Sequence, residues 1–192
     1  MRPNGNRVNP PACFDGASLR ITPIDADEAC LRVFQHELDY VHRTLLRLGA
    51  APSDVEDLMQ DVFLALRGAW NRFDKSRPLR PYLFGIAFRI VAAHRRKRKR
   101  EVSFGIIELP DANADLDDRL HGAQARRLIL AALERVPLPR RAVLIMHELD
   151  DIPVADVAAA LRIPRFTAYG RLRKARRELG AALRRMLRGS AR

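Results

Sequence analysis

Asp57, Gln60, Asp61 and Leu64 recur at the i, i+3, i+4, i+7 spacing that places side chains on one stripe of a helix. Two carboxylates so placed could share a divalent cation and activate a water for hydrolysis. No third ligand or catalytic base is spaced to join them, so an enzyme of that kind is not expected. The bland reading of the stripe is a solvated helix face. On a chain of formal net charge +12 it needs an explanation of its own. Cys13 and Cys30 are too isolated for a disulfide framework or a thiolate zinc site, and the five histidines lack ligand spacing, so no metal or other cofactor is expected.

A second group joins flat rings to cations. Phe73, Tyr82, Phe84 and Phe88 lie among Arg72, Lys75, Arg77, Arg80 and Arg89. Extruded nucleic-acid bases need apolar surfaces to stack on and cations along their backbone, and this stretch supplies both; the same rings could instead be core. A third group is almost wholly basic, for between Arg162 and Arg188 the only acid is Glu178. Arg165, Phe166, Thr167 and Tyr169 stand where the first turn of a recognition helix meets base edges, whereas Arg171, Arg173, Lys174, Arg176 and Arg177 suit phosphates. These positions cover most of the helix circumference, so some must face solvent.

The elements that must carry these groups read as helices throughout, with no strand pattern and no repeat. Phe34, Leu38, Val41, Leu45 and Leu48 trace one amphipathic helix that Gly49 can close. Ser53-Asp54-Val55-Glu56 reads as a capping box opening a second, with Val55, Leu58, Met59, Val62, Phe63 and Leu66 as its apolar face. Leu83, Ile86, Ala87, Ile90 and Val91 mark a third, which runs into the basic block His94 to Arg100. Ala125 to Val136 starts a second set, stopped by Pro137 and Pro139 and followed by Arg140 to Leu149. Val154 to Leu161, an Arg162-Ile163-Pro164 turn, and Phe166 to about Leu187 then have the spacing of a helix-turn-helix.

At 192 residues, 47% of them hydrophobic, the chain has room for two small cores. The expected fold is all-α: a three-helix domain at 26–100 and a helix-turn-helix domain at 121–188. A flexible acidic linker at 101–120 joins them, and a flexible extension precedes them at 1–25. Two basic blocks divided by an acidic spacer suggest two contacts on one polyanion, with nucleic acid the first choice of partner. No signal-peptide core and no membrane span is present, so the expected location is the cytoplasm.

The segments Leu138-Pro-Arg-Arg-Ala-Val-Leu-Ile, Asp156-Val-Ala-Ala-Ala-Leu-Arg-Ile-Pro and Thr167-Ala-Tyr-Gly-Arg-Leu-Arg-Lys-Ala-Arg resemble region 4 of extracytoplasmic-function sigma factors of RNA polymerase. Asp54-Val-Glu-Asp-Leu-Met-Gln-Asp-Val-Phe, Trp70-Asn-Arg-Phe-Asp and Tyr82-Leu-Phe-Gly-Ile-Ala resemble their region 2. The resemblance implies that Asp57, Gln60 and Asp61 dock on the clamp helices of the largest subunit of core polymerase. It implies that Phe73, Lys75, Arg77, Arg80, Tyr82, Phe84 and Arg89 hold the melted downstream element. It implies that Arg165, Phe166, Thr167, Tyr169, Arg171, Arg173, Lys174 and Arg176 bind the upstream element, with the polymerase flap also against region 4. An anti-sigma factor is a further implied partner. The rival reading is a stand-alone helix-turn-helix regulator, which leaves the first domain idle. The chain departs from the family pattern at Tyr82, where Trp is usual, and at Arg89 and Ala93. Pro153 replaces a capping Ser, Phe166 a small residue, and Arg162 a turn Gly, where positive φ would cost about 1–2 kcal/mol.

Overall fold

A computed structural model describes residues 23–103 and 122–189, and these contain eight α-helices and no strand. Most of the expected acidic linker and of the N-terminal extension lies outside the described residues, but 101–103, expected to open the linker, are the last turn of a helix (Leu79–Ser103). Helix α1 (Pro23–His36) and α2 (Leu38–Leu48) come from the stretch read as one helix. The break falls at Glu37, with no glycine or proline to announce it. It lets Phe34 meet Phe63 of the next helix at 5.2 Å while Val41, Leu45 and Leu48 remain buried. Gly49, at φ 87°, closes α2: its N–H reaches the Leu46 carbonyl at 2.9 Å and the Ala50 N–H the Leu45 carbonyl at 3.0 Å.

Helix α3 (Val55–Ala69) does not open with the expected capping box. A 3-10 turn at Pro52–Asp54 leads into it, and the Ser53 hydroxyl bonds the Asp54 carboxylate at 2.9 Å instead of a backbone N–H. Asp54 is thereby turned towards α4 (Leu79–Ser103), where His94 and Arg98 meet it at 2.9 and 3.2 Å. The α3 face Val55, Leu58, Val62, Leu66 is buried as the periodicity predicts, and Trp70 in the 3-10 turn that follows is buried with it.

In the second unit, α5 (Gly122–Glu134) ends before Pro137, and α6 (Leu138–Leu144) starts with Pro139 in its first turn, where a missing N–H costs nothing. Helix α6 widens into a π-turn at Ile145–Leu149. Then α7 (Val154–Ala160) and α8 (Arg165–Gly189) form the helix-turn-helix around buried Val157, Ala158, Leu161, Ala168, Leu172 and Ala175. Arg162 holds φ 53°, as the turn requires. The Ile163 N–H reaches the Ala158 carbonyl at 2.9 Å and the Arg162 N–H the Ala159 carbonyl at 3.2 Å, so a non-glycine residue occupies the left-handed position of a Schellman turn.

The two units share a continuous core. Helix α2 packs on α5 and α6, and α4 packs on α7. Gly85 of α4 sits so close to α7 that a Cβ there would come within 2.7 Å of the Ala160 carbonyl oxygen. Asp150 accepts hydrogen bonds across the junction from the Tyr40 hydroxyl at 3.0 Å and from Arg47 at 3.2 Å. Arg141, 1% exposed, donates to the Leu48 carbonyl at the end of α2 at 2.9 Å. Within its own unit it donates to the Val136 and Glu134 carbonyls at 3.1 and 2.7 Å.

Candidate functional site

Three surfaces carry the residues singled out in the sequence. On α3, Asp57, Gln60 and Asp61 are exposed on the side opposite the buried Leu58–Val62 face. Leu64, 58% exposed, continues the same stripe. Neither carboxylate forms an ion pair among the described residues, unlike Asp27, which grips Arg67 at 2.6 Å. The stripe thus combines two uncompensated charges with an exposed apolar side chain.

The second surface surrounds the loop before α4. Trp70, Phe73 and Tyr82 form a run of rings, with centroids 6.2 Å apart for the first pair and 4.7 Å for the second. Lys75 stands over Trp70 at 5.4 Å, a cation–π contact. Phe73 and Tyr82 are half-buried, so each keeps part of its surface open. Phe84 has no exposed surface and lies in the core, so here its ring has no face to offer a base. Arg77 pairs with Asp74 at 3.4 Å and Arg80 with Glu37 at 2.9 Å, and Arg80 also covers the Tyr40 ring at 5.2 Å. Arg89 is exposed beside the junction with the second unit, where partial desolvation, then the nearby charge of Arg162, holds its pKa below the usual arginine value.

The third surface is α8. Phe166, Thr167, Arg171 and Lys174 share one face with Gly170 and line a shallow depression of about 480 Å³ whose other wall is Pro137, Pro139 and Arg140. Phe166 is 88% exposed and Tyr169 61%. Tyr169, Arg173 and Arg176 follow a neighbouring stripe at helical spacing, and Arg165 is exposed at the helix start. Arg176 is already bound to Glu148 at 2.6 Å, and Arg140 to Glu178 at 2.8 Å. The candidates therefore divide into a face with Arg171 and Lys174 beside Phe166 and a stripe whose end, Arg176, is neutralised.

Several polar contacts had no signal in the sequence, because their partners are far apart along the chain. Asp54 sits 40 and 44 residues from His94 and Arg98. Burial works to raise its pKa, but the hydrogen bonds from Ser53 and His94 and the charge of Arg98 outweigh it and hold the carboxyl below the usual range. Part of the basic run on α4 is thus occupied, since Lys97 also approaches Glu101 at 3.8 Å.

Residues 33–101 match the sequence family Sigma-70 region 2, and residues 126–179 match Sigma-70, region 4. The RNA polymerase sigma factor NccH of Alcaligenes xylosoxydans xylosoxydans is 30% identical over 141 residues, which span 70% of this chain and 76% of that one. This chain belongs to the extracytoplasmic-function sigma factors. A further relative of this sigma factor is the ECF RNA polymerase sigma factor RpoE of Cereibacter sphaeroides, 27% identical over 161 residues, covering 83% and 89% of the two chains. In fold the sigma factor resembles RpoE of Bartonella quintana, solved in complex with the anti-sigma factor NepR, with a TM-score of 0.71 and 20% identity over 82% of this chain and 98% of that one. Sigma factors are regulatory subunits of RNA polymerase and not enzymes. The two family segments fall on the two helical units in the order expected, with α3, α4 and their loop in region 2 and the helix-turn-helix in region 4.

Proposed function

We propose that this sigma factor uses residues 26–100 to bind core polymerase and open the downstream promoter element, and residues 121–188 to hold the upstream element and the polymerase flap. In this reading 101–120 is the tether between the two and 1–25 an accessory extension. Asp57, Gln60 and Asp61 meet the clamp helices of the largest subunit. Phe73 and Tyr82 receive an extruded base, with Lys75, Arg77, Arg80 and Arg89 along the strand, while Phe84 supports them from the core. Arg165, Phe166, Thr167, Tyr169, Arg171, Arg173, Lys174 and Arg176 form the upstream contact. The protein works in the cytoplasm, with the polymerase; among the described residues no helix is long and apolar enough to cross a membrane. A fold neighbour is a sigma factor held by an anti-sigma factor, and a protein antagonist of that kind is inferred for this chain.

The observation that carries the docking assignment is the α3 stripe: two exposed carboxylates without an internal partner among the described residues, beside exposed Leu64, on a protein of net charge +12. Water alone can satisfy each carboxylate, so the reading rests on the two sharing one stripe with exposed Leu64. Asp61→Arg leaves the buried face untouched and should keep the helical content of the chain. It should weaken binding to core polymerase at least tenfold, and unchanged affinity would overturn the assignment. A stand-alone regulator would give no core binding in either form.

A further inference from the structure

We propose that Phe166 reads the 5-methyl group of a thymine in the upstream promoter element, and that Gly170 is bare so that this base edge can approach α8. The proposal rests on the reading of α8 as the DNA-contacting helix. Phe166 is 88% exposed, more than any other large hydrophobic side chain among the described residues, although it stands in the first turn of a 25-residue helix. Its ring contributes almost nothing to the core. A single exposed ring is common, but this one lines a depression with Pro137, Pro139 and Gly170, and that shared apolar surface points to a contact made on binding.

The surroundings specify what that contact is. Arg171 and Lys174 lie on the same face and Arg165 is the preceding residue, while Arg140 across the depression is already paired with Glu178. A polyanion is therefore the complementary partner. On a nucleic-acid duplex a phenyl ring has no donor or acceptor with which to read purine N7, guanine O6 or the exocyclic amines. The apolar group that the major groove offers at its floor is the thymine methyl.

Gly170 provides the second observation. It lies one turn beyond Phe166 on the same face, and a Cβ built there would meet nothing within 4 Å. Packing does not require the glycine, and alanine would make a stronger helix. What the missing side chain does is leave a gap between the Phe166 ring and the two cations, through which a base edge can come close to the helix backbone.

The test uses the full chain assembled with core polymerase. Duplexes randomised in the upstream element are selected by binding, and each selected thymine is then replaced by deoxyuridine, which removes only the methyl. One thymine should be required, and its replacement should weaken binding about fourfold, the loss expected for one buried methyl-sized group. With Phe166→Ala the thymine and deoxyuridine duplexes should bind equally. With Phe166→Leu part of the discrimination should remain. Gly170→Ala should keep full helicity yet weaken both duplexes.

Equal binding of thymine and deoxyuridine DNA at every position, or discrimination that survives Phe166→Ala, overturns the thymine reading while leaving the sigma function intact. So does a Phe166→Ala variant whose only defect is in binding polymerase or a protein antagonist, since the ring would then be a protein contact. Undiminished binding by Gly170→Ala overturns the role given to the glycine. Failure to select any upstream sequence overturns the reading of α8 itself, and this proposal with it.

Discussion

Arg141→Met takes a guanidinium out of the centre of the molecule while keeping an apolar stem in its place. The cation donates to three backbone carbonyls, of Leu48, Val136 and Glu134, at 2.7 to 3.1 Å. A hydrogen bond from a charged group contributes about 1.5–3 kcal/mol, so the three together are worth roughly 5–9 kcal/mol. Burial, reinforced by the like charge of Arg95, opposes this and lowers the Arg141 pKa to about 10. That drop from the usual arginine value is a cost of roughly 3 kcal/mol for keeping the charge inside. The difference predicts a loss of about 2–6 kcal/mol on substitution, a large part of the stability of an ordinary domain. Urea titration of the full chain, followed by circular dichroism at neutral pH, measures it. A loss below about 1 kcal/mol would refute the reasoning, because the carbonyls would then be satisfied without the cation.

Arg162→Gly should stabilise the chain by about 1 kcal/mol by releasing a non-glycine residue from φ 53°, seen as a raised melting temperature; an unchanged or lower one counts against strain in the turn. Asp54→Asn should cost about 1 kcal/mol at pH 7. The Asp54 carboxyl is held below its usual range, so its contribution is complete above about pH 4 and fades as the pH falls through the lower, folded-state pKa. The gap between wild type and variant should therefore close on acidification, and a gap that persists would exclude the linkage. The Arg171→Ala, Lys174→Ala double variant should reduce the salt dependence of promoter binding by about two counterions, whereas an identical slope would show that neither residue touches phosphate.

The helices of this protein were legible because their buried faces are strongly periodic. Val55, Leu58, Val62 and Leu66 could be assigned inward from spacing alone, and Val157, Ala158 and Leu161 likewise. The break at Glu37 was not legible, since no helix breaker marks it and its reason is tertiary, the seating of Phe34 on Phe63. The capping-box pattern at Ser53 misled because Asp54 has partners 40 and 44 residues away in His94 and Arg98, and a local motif yields to such contacts. The positive φ at Arg162 could be foreseen, as the turn geometry demands it whatever residue stands there. The charged surfaces were visible as sets of residues. Which members are neutralised was not: nothing in the order of residues says that Arg176 meets Glu148 or that Arg80 meets Glu37. Phe84 illustrates the same gap, for an aromatic in a short apolar run does not disclose which way it faces.

The bond from Arg141 to the Leu48 carbonyl, with Gly85 against Ala160 and Asp150 bound to Tyr40 and Arg47, joins the two units by contacts that any partner separating them would have to break. A ligand that accepts both units as they stand is indifferent to those contacts. One that must hold them apart has its affinity scaled by the fraction of molecules already open, tenfold for each 1.4 kcal/mol or so by which closure is favoured. The junction therefore acts as a discount on every such encounter. Arg141, buried and so out of a partner's reach, would then help set the concentration at which a partner that separates the units begins to win.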